Sequence, residues 1–471
     1  MTITTVRSTR RWLALSVLAL AQFLVILDAS IVNIALPSIG SDLVLDTAAL
    51  SWVITAYILP FGGLLLFGGR LADRFGHRRV FLIGVAGFVL ASIAAGFALT
   101  GGMLLAARAL QGASAALLAP ASLALVTKLF LTTADRAKAL GIWGAVAGIG
   151  AAAGVLLGGV LTSSLGWEWV FFVNVPVGIL VLGAIPLLIT RDPRVVAQKL
   201  DVPGAITITG GLVALVGGLS QVEQFGFAHP LTIALLAMAA LLIGAFVVIE
   251  RRSAAPLVPF GIFRRGGLAA GNAAMLFMGG ATVALFFALS VYLQGVLRYD
   301  ALAAGLSSLP LAGTIIVAAV VVPSVMAKVG IRRTLIGSML LLAGGLVWLS
   351  FTPSDAGFVQ NLLGPTIVIG AAMGGAFISA TQLAVSGIDE TDDGLASGLV
   401  NTSQQIGGAI GLAVLATIGT AHTETLLAAG TAPADALTAG FSWVFVGAAV
   451  LVVMGAIVVA VLRGKLTTDE S

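Results

Sequence analysis

Residues 12–36 read WLALSVLALAQFLVILDASIVNIAL, and Asp28 is the single charged residue among them. About 20 consecutive apolar residues are enough for a helix to cross the hydrocarbon core of a bilayer. The run is too long for the apolar region of a signal peptide, and no small-residue cleavage site follows it. We therefore expect a first membrane span that carries a carboxylate near its middle.

The composition extends this expectation to the whole chain. Of the 471 residues, 59% are hydrophobic and only 9% are charged, and the mean hydropathy is +1.12. A typical soluble domain carries about 25% charged residues. The 59 glycines suit helices that pack closely within a bilayer. The composition predicts a polytopic all-α membrane protein whose surface faces lipid.

The same length criterion predicts fourteen transmembrane helices. They cover residues 12–36, 47–69, 80–99, 103–127, 138–162, 170–190, 203–221, 231–249, 268–296, 301–326, 334–352, 361–387, 395–420 and 439–462. An even number places both termini on one side of the membrane. If that side is the cytoplasm, every Lys and Arg except Arg108 and Arg298 is cytoplasmic, as the positive-inside rule requires. The net charge of +4 then reflects topology, and we expect no nucleic-acid partner.

Short motifs recur in the two parts of the chain at a nearly constant spacing. The pairs are DRFGHRR (73–79) with AKVGIRR (327–333), RAKALG (136–141) with DGLASG (393–398), and GAAAG (150–154) with GGAIG (407–411). Repeats of this kind build secondary transporters, in which the substrate site lies between the halves near the bilayer midplane. We expect a six-helix bundle over residues 1–190, two inserted helices over 191–265 and a second six-helix bundle over 266–471.

Several segments together resemble one transporter family. They are GGRLADRFGHRR (68–79), RALQG (108–112), LDASIVNIALP (27–37), WVITAYIL (52–59), WEWVFFVNVPVG (167–178), and YLQ (292–294) with AGLSSLP (304–310). The chain resembles the major facilitator superfamily, and within it the fourteen-helix drug:proton antiporter branch of bacterial multidrug efflux transporters. The resemblance covers essentially the whole chain and implies the major facilitator fold. Two positions depart from it, because Val155 stands where the antiporter motif usually has proline and Glu168 where a basic residue is common.

Asp28 and Arg108 are the candidate proton-coupling residues. A charge in mid-span costs roughly 2.5–3.5 kcal/mol on insertion scales, and such a residue usually faces a bundle interior or an aqueous cavity. Counted from the outer ends of their spans, the two residues lie at similar depth, so they can pair directly or through water. The resemblance implies proton coupling for Arg108. The alternatives are a carboxylate that only bridges helices and an arginine that only snorkels.

The resemblance implies a conformational role for a second set of residues. They are Gly69, Asp73, Arg74, Gly76 and Arg78 in the loop after the second span, and Gly141, Gly150, Gly154 and Gly158 in the fifth. Asp73 would engage the other half and latch the outward-facing state, although its counterpart there is Ala327. The glycine series lets another helix approach closely, and in the family that contact seals the cytoplasmic side between the halves. A topology signal and ordinary helix packing are the respective alternatives.

Aromatic and amide side chains within the spans are the candidate substrate contacts. They are Asn33, Trp52, Tyr57, Gln111, Tyr292, Gln294, Gln382, Asn401, Gln404 and Gln405. An apolar pocket with scattered polar groups suits amphipathic ligands. For each residue alone, hydrogen bonding between helices is an equally good explanation.

We expect a proton-coupled antiporter that exports hydrophobic or cationic small molecules, such as drugs, dyes and antiseptics, by alternating access. Asp28 would lose its proton when substrate enters from the cytoplasm and regain one from outside. The proton gradient is the energy source, so no cofactor and no metal are expected. The sequence predicts a monomer in the cell inner (plasma) membrane and antibiotic resistance as a consequence of transport.

One alternative function fits the sequence equally well, and two others fit it less well. A dedicated exporter of one natural product or lipid-like molecule would use the same machinery, whereas the glycine series argues against a proton-coupled uptake symporter. A membrane-embedded enzyme would need a cluster of His, Cys or carboxylates at membrane depth. The chain has no cysteine, and we place His77, His229 and His422 in loops. We therefore expect no enzymatic activity.

Overall fold

A computed structural model describes residues 2–130, 133–190, 201–226, 228–254, 256–264, 267–386, 388 and 393–462. Within these residues the regular secondary structure is helical and includes no β-strand. The chain is therefore an all-α protein, as predicted. We call the end of the molecule that carries the loop between the first two helices the outer end, and the opposite end the inner end.

The first half is built from seven helices. They are α1 (Thr2–Asp42), α2 (Thr47–Phe75), α3 (His77–Gly96), α4 (Gly101–Leu129), α5 (Thr133–Leu165), α6 (Trp169–Phe172) and α7 (Asn174–Leu188). The short α6 and α7 together form the sixth predicted span. Two of the helices begin at side-chain caps, because Asp46 accepts the backbone N–H of Ala49 at 2.7 Å and Thr100 accepts that of Met103 at 3.3 Å.

The inserted pair and the second half follow. The inserted helices are α8 (Val202–Phe225) and α9 (Pro230–Arg252), and a 3-10 helix (Phe260–Arg264) lies in the linker after them. The second half contains α10 (Leu268–Val291), α11 (Ala301–Ser307), α12 (Leu309–Val329), α13 (Ile331–Leu349), α14 (Leu363–Val385), α15 (Asp393–Ala428) and α16 (Pro433–Val461). The π-helical turn Tyr292–Val296 extends α10, and another, Phe358–Leu362, precedes α14.

Thirteen helices of the described residues are long and apolar enough to cross a membrane. The helix α5 has 33 residues, but its side chains are described continuously only over Ala153–Leu165, and this apolar part alone is shorter than a membrane span. The count of fourteen therefore stays a prediction, and so does the cytoplasmic placement of the two termini.

The buried apolar side chains of the described residues form two large clusters. One is formed mainly by side chains of the first half, among them Phe81, Phe88 and Phe171, and it extends into α8, α10 and α15. The other is formed by side chains of the second half, among them Met339 and Phe445. The fold therefore consists of two helical bundles with an inserted helix pair. The boundaries at residues 190 and 265 stay predictions, and the predicted linker residues 191–200 lie outside the described part of the chain.

The prediction that all three histidines lie in loops is wrong. His77 is the first residue of α3, and His422 lies inside α15 because that helix extends beyond the apolar span. His229 does lie outside the helices, where its Nδ1 accepts the backbone N–H of Leu231 at the start of α9. The helix ends contain charged and polar residues, so a prediction based on the length of apolar runs did not include them.

Close packing between α2 and α4 sets the position of the polar residues on α4. A Cβ atom added to Gly68 would lie 2.1 Å from the carbonyl oxygen of Ala116, and one added to Gly112 would lie 2.1 Å from that of Tyr57. Only residues without a side chain permit backbones to approach this closely. Gly112, the last residue of the RALQG motif, therefore holds α4 directly against α2.

We expect Gly112→Ala to lower the thermal unfolding midpoint of the detergent-purified protein. The added methyl group would force α2 and α4 apart, and overpacking of this kind typically costs about 1–3 kcal/mol. The matched control is Gly102→Ala on the same helix, where an added Cβ meets no atom within 4 Å. Equal midpoints for the two variants would contradict the close contact between α2 and α4.

Candidate functional site

Asp28 lies at the centre of a buried polar cluster in the first half. Its carboxylate has no exposed surface, although α1 is apolar around it. Arg108 Nη1 donates to Oδ2 at 2.5 Å, while Gln111 Nε2 and Asn174 Nδ2 donate to Oδ1 at 3.1 and 2.9 Å. Three donors from two other helices thus converge on one carboxylate, an arrangement that suits its ionised, acceptor-only form.

Arg108 is buried just as completely, with 1% of its surface exposed. Its Nε donates to the carbonyl oxygen of Val53 on α2 at 3.1 Å, and Nη1 also donates to Gln111 Oε1 at 2.9 Å. The guanidinium lies 4.4 Å from the ring centroid of Tyr57 and 5.9 Å from that of Phe171. An ion pair inside a low-dielectric bundle persists only when its remaining hydrogen-bonding groups have partners. The contacts of Arg108 provide many of these partners.

Two members of the cluster, Asn174 and Ser92, were not among the predicted site residues. Ser92 Oγ accepts hydrogen bonds from Gln111 Nε2 at 2.8 Å and from Asn174 Nδ2 at 3.4 Å, and it donates to the carbonyl oxygen of Phe88. Both side chains are fully buried. The sequence carried one signal for Asn174, which is its position inside the family segment WEWVFFVNVPVG. Ser92 gave no signal, since a serine in a helix commonly bonds only its own preceding turn.

The cluster joins α1, α3, α4 and α7 inside the first bundle, and each of its five side chains is at most 1% exposed. A proton therefore reaches Asp28 only when these helices shift or when water enters. Gln111 and Asn174 carry amides, which can donate to a carboxylate or, after rotation, accept from a carboxylic acid. The Oδ1 atom of Asn174 is buried and has no hydrogen-bond partner. The cluster thus contains a spare acceptor beside the titratable group.

A proline in α1 creates a contact between the halves at the outer end. Pro37 has no backbone N–H, so the carbonyl of Asn33 lacks its usual donor four residues on. Ser290 Oγ of α10 donates to that carbonyl instead, and Gln294 Nε2 donates to the carbonyl of Ile34 at 2.9 Å. We call these two hydrogen bonds the outer latch. Predicted as substrate contacts, Asn33 and Gln294 here belong to the latch.

Glycines of α5 make two different sets of contacts. Gly150, Gly154 and Gly158 face α1, where added Cβ atoms would lie 2.6–3.1 Å from Ile26, Ser30 and Ile31. Gly141 lies in the same helix, and its surroundings fall outside the description. The role of this series in sealing the two halves stays a prediction, because in this conformation the three described glycines pack within one half.

The contact of α5 with the second half involves neighbouring positions. A Cβ on Gly159 would lie 2.7 Å from the carbonyl oxygen of Ala301, and one on Gly305 would lie 2.7 Å from that of Val155. The sequence indicated close approach of a helix to α5, but it did not reveal that Gly159 and Gly305 form the approach to α11. Together with the outer latch, this packing closes the outer end between the halves.

The contacts described for the predicted conformational residues of the α2–α3 loop lie within the first half. Asp73 Oδ1 lies 3.2 Å from His77 Nε2, and His77 Nδ1 lies 2.8 Å from Lys128 Nζ. Gly76 joins the two helices at a φ of +94°, which L side chains rarely adopt. Engagement of Asp73 with the other half stays a prediction, since its described ion pair lies inside its own loop.

The remaining loop residues contact their own helices or α7. Arg74 lies over the ring of Phe75, with 5.3 Å between the guanidinium carbon and the ring centroid, and Arg78 Nη2 donates to the carbonyl of Pro186 at 3.3 Å. Gly69 is less constrained than Gly68, because an added Cβ would meet only Pro120, at 3.8 Å.

The predicted substrate contacts fall into three groups by exposure. Tyr57, Gln111 and Tyr292 are buried, and the hydroxyl of Tyr292 donates to the carbonyl of Pro353 at 2.6 Å. The side chains of Gln382 and Asn401 are exposed. The partly exposed members are Asn33, Trp52, Gln294, Gln404 and Gln405. Only the exposed and partly exposed residues can meet a ligand without rearrangement, and their role as substrate contacts stays a prediction.

Comparisons with known proteins agree with this architecture. Residues 18–412 match the sequence profile described as the Major Facilitator Superfamily. The chain is 42% identical to the puromycin resistance protein pur8 of Streptomyces alboniger over 90% of this chain and 85% of that protein. It is also 42% identical to the cephamycin export protein CmcT of Amycolatopsis lactamdurans over 95% of this chain and 92% of that protein.

Solved transporter structures share the fold. The crystal structure of an auto-inhibited POT family peptide transporter matches with a TM-score of 0.69 at 15% identity, covering 97% of this chain and 99% of that one. The nucleoside transporter NupG matches with a TM-score of 0.64 at 14% identity, covering 95% and 99%. These likenesses concern the fold alone. The sequence profile and the relatives at 42% identity establish that this chain, a multi-pass membrane transporter, belongs to the major facilitator superfamily.

Proposed function

We propose that the chain is a proton-coupled antiporter that exports drug-like or natural-product small molecules by alternating access. The direction of transport is supported by relatives that are named for resistance to puromycin and export of cephamycin. The observation that carries the coupling is the Asp28–Arg108 pair, which is the one ion pair among the described residues to be fully buried. The pair can form in one state of the transport cycle and separate in another.

The cycle starts from the conformation described above. The outer end is closed by the latch, and Asp28 accepts three hydrogen bonds, as an ionised carboxylate does. The positive charge of Arg108 compensates the negative charge of the ionised carboxylate, and a buried charge that loses its partner is costly. With substrate bound, the two halves rock and the outer end opens. A movement that draws Arg108 away from Asp28 in this outward-open state promotes uptake of a proton from outside while the substrate leaves. The proton is released inward once the outer end has closed again.

The amides of Gln111 and Asn174 allow both protonation states to persist. Each now donates to Oδ1 of Asp28. After protonation the Asn174 amide, whose Oδ1 has no partner, can rotate and accept the new O–H. Without such an acceptor the new O–H would lie buried and unsatisfied, which would cost about 1–3 kcal/mol.

A dedicated exporter of one natural product is the second candidate, and the relatives give it specific support. The tetracenomycin C resistance and export protein of Streptomyces glaucescens is 36% identical, and it too is named for one compound. The multidrug resistance protein Stp of Mycobacterium tuberculosis is 31% identical. An efflux panel of unrelated cationic dyes separates the two functions, because export of several dyes favours a multidrug pump and export of none favours a dedicated one.

We further propose that the transporter works as a monomer in the bacterial inner membrane. Both halves that enclose the transport path belong to one chain, so no second copy is needed to complete it. The relatives named above are all bacterial proteins.

We expect Asp28→Asn to abolish efflux driven by a pH gradient while substrate binding is kept. Asparagine preserves the size of the side chain and an acceptor oxygen for Arg108, but it does not exchange a proton near neutral pH. The measurement is dye or drug efflux from inverted vesicles after an imposed pH jump. Asp42→Asn on the same helix is the matched control, since its carboxylate lies at the outer end and accepts only Trp167 Nε1. Full coupling in Asp28→Asn would refute the role of Asp28.

Removing the outer latch with Ser290→Ala and Gln294→Leu together should favour the outward-open state by about tenfold or more, since each hydrogen bond contributes about 0.5–1.5 kcal/mol. The reporter is Val155→Cys, because Val155 is 7% exposed beneath the latch and the chain has no cysteine of its own.

The reporter should react faster with a water-soluble maleimide in the double variant than in Ser307→Ala, the control. Ser307 Oγ bonds only the preceding turn of α11, at Ala303. Equal labelling rates in the two backgrounds would contradict the latch.

A further inference from the structure

The inserted helices lie along one seam between the halves. α8 packs against both α2 of the first half and α15 of the second, whereas the main packing partner of α9 is α8. A Cβ added to Gly63 of α2 would lie 2.7 Å from Thr209 Oγ1 of α8, so the approach is close. The inserted helices therefore contact both halves, and a relative motion of the halves would change these contacts.

A buried glutamate fixes the linker that leaves this pair. Glu250, in the last turn of α9, is only 4% exposed. Its Oε1 and Oε2 accept the backbone N–H groups of Leu257 and Val258, each at 3.2 Å. Two hydrogen bonds to one carboxylate turn the linker back against the inner end of α9. We call residues 256–258 the strap.

The strap is also anchored in the second half. Leu257 is 2% exposed, and Ile262, four residues beyond the strap, is 5% exposed and belongs to the apolar core of that half. Val258 packs against the same core. The strap is consequently held on one side by a charge of the inserted pair and on the other by burial of apolar side chains.

Arg70 joins the first half to the strap. It lies on the last turns of α2, inside the GGRLADRFGHRR segment, and its Nη2 donates to the carbonyl oxygen of Pro256 at 3.1 Å. Asp201, the N-cap of α8, and Arg70 both lie near enough to Glu250 for their charges to act on it, in opposite directions. Asp201 is 6% exposed, and its Oδ2 has no hydrogen-bond partner. The negative surroundings of the strap thus favour a cation at position 70.

We propose that Arg70 is a positioning residue, through which the strap of the inserted helix pair holds the inner end of α2 and the α2–α3 loop against the second half. The contact gives the inserted helices a role in the transport cycle. When α2 moves relative to the second half, the Arg70–Pro256 hydrogen bond must break or the strap must follow. The strap therefore favours the position of α2 relative to the second half that is described here.

This inference rests on alternating access, and it can be tested on purified protein without any transport. Because the chain has no cysteine, spin labels can be placed at Phe75→Cys beside the loop and at Phe260→Cys on the linker, both of which are exposed positions. The double electron–electron resonance distance distribution between the labels then reports whether the strap is attached to α2.

We expect one narrow distance in the doubly labelled protein and a second, longer distance in Arg70→Ala. A hydrogen bond from a charged donor is among the stronger ones, so the ratio of released to attached protein should rise about tenfold. Arg70→Lys keeps a cation that can donate and should restore most of the narrow distance. Arg79→Ala removes the same charge from an exposed position in the same segment, and it should leave the distribution unchanged.

Two outcomes at position 70 would overturn the proposal. One is a distribution in Arg70→Ala that matches that of Arg79→Ala. The other is a failure of Arg70→Lys to restore the narrow distance. Glu250→Gln gives an independent check, because it weakens the anchor of the strap without altering α2, and it should also populate the longer distance. An unchanged distribution there would equally refute the strap, whatever the transport assays report about Asp28.

Discussion

The ion pair of Asp28 and Arg108 is the constraint on which the first half depends. Either charge alone would be strongly destabilising inside an apolar bundle, because an uncompensated buried charge costs several kcal/mol. The pair is tolerable since Gln111, Asn174 and Val53 satisfy its remaining groups. This requires α2 and α4 to lie in direct contact, which Gly68 and Gly112 permit. The ion pair thus depends on the close packing of α2 against α4, and it adds a hydrogen bond that holds these helices together.

The sequence predicted the architecture well because long apolar runs and positive loops leave few alternatives. It also placed Asp28 and Arg108 at the same depth, and the structure brings their side chains together. It did not identify Asn174 as a partner of Asp28 or Ser92 as a partner of Gln111, since neither residue follows a periodic pattern. Nor could it predict which surfaces the glycines face. Gly150 packs on α1, whereas Gly159, with the same local signal, packs on α11.

The contacts between the halves at the two ends have different chemistry. At the outer end, Pro37 leaves the carbonyl of Asn33 without its helical donor, and Ser290 of α10 donates to it. Gln294 donates to the neighbouring carbonyl of Ile34. At the inner end, Arg70 binds a strap that is held by a buried carboxylate. Neutral hydrogen bonds of about 0.5–1.5 kcal/mol each are easily exchanged, as an alternating cycle requires. The inserted pair adds its contact on the side where the α2–α3 loop lies.

The central claim is that substrate and proton compete through Asp28. The most direct measurement is proton release when a transported compound is added to purified wild-type protein in weakly buffered detergent solution, with binding followed in the same sample. By reciprocal linkage, the account predicts release of about one proton per bound substrate from wild type and none from Asp28→Asn. Saturating binding without proton release from wild type, or equal release from both proteins, would contradict it.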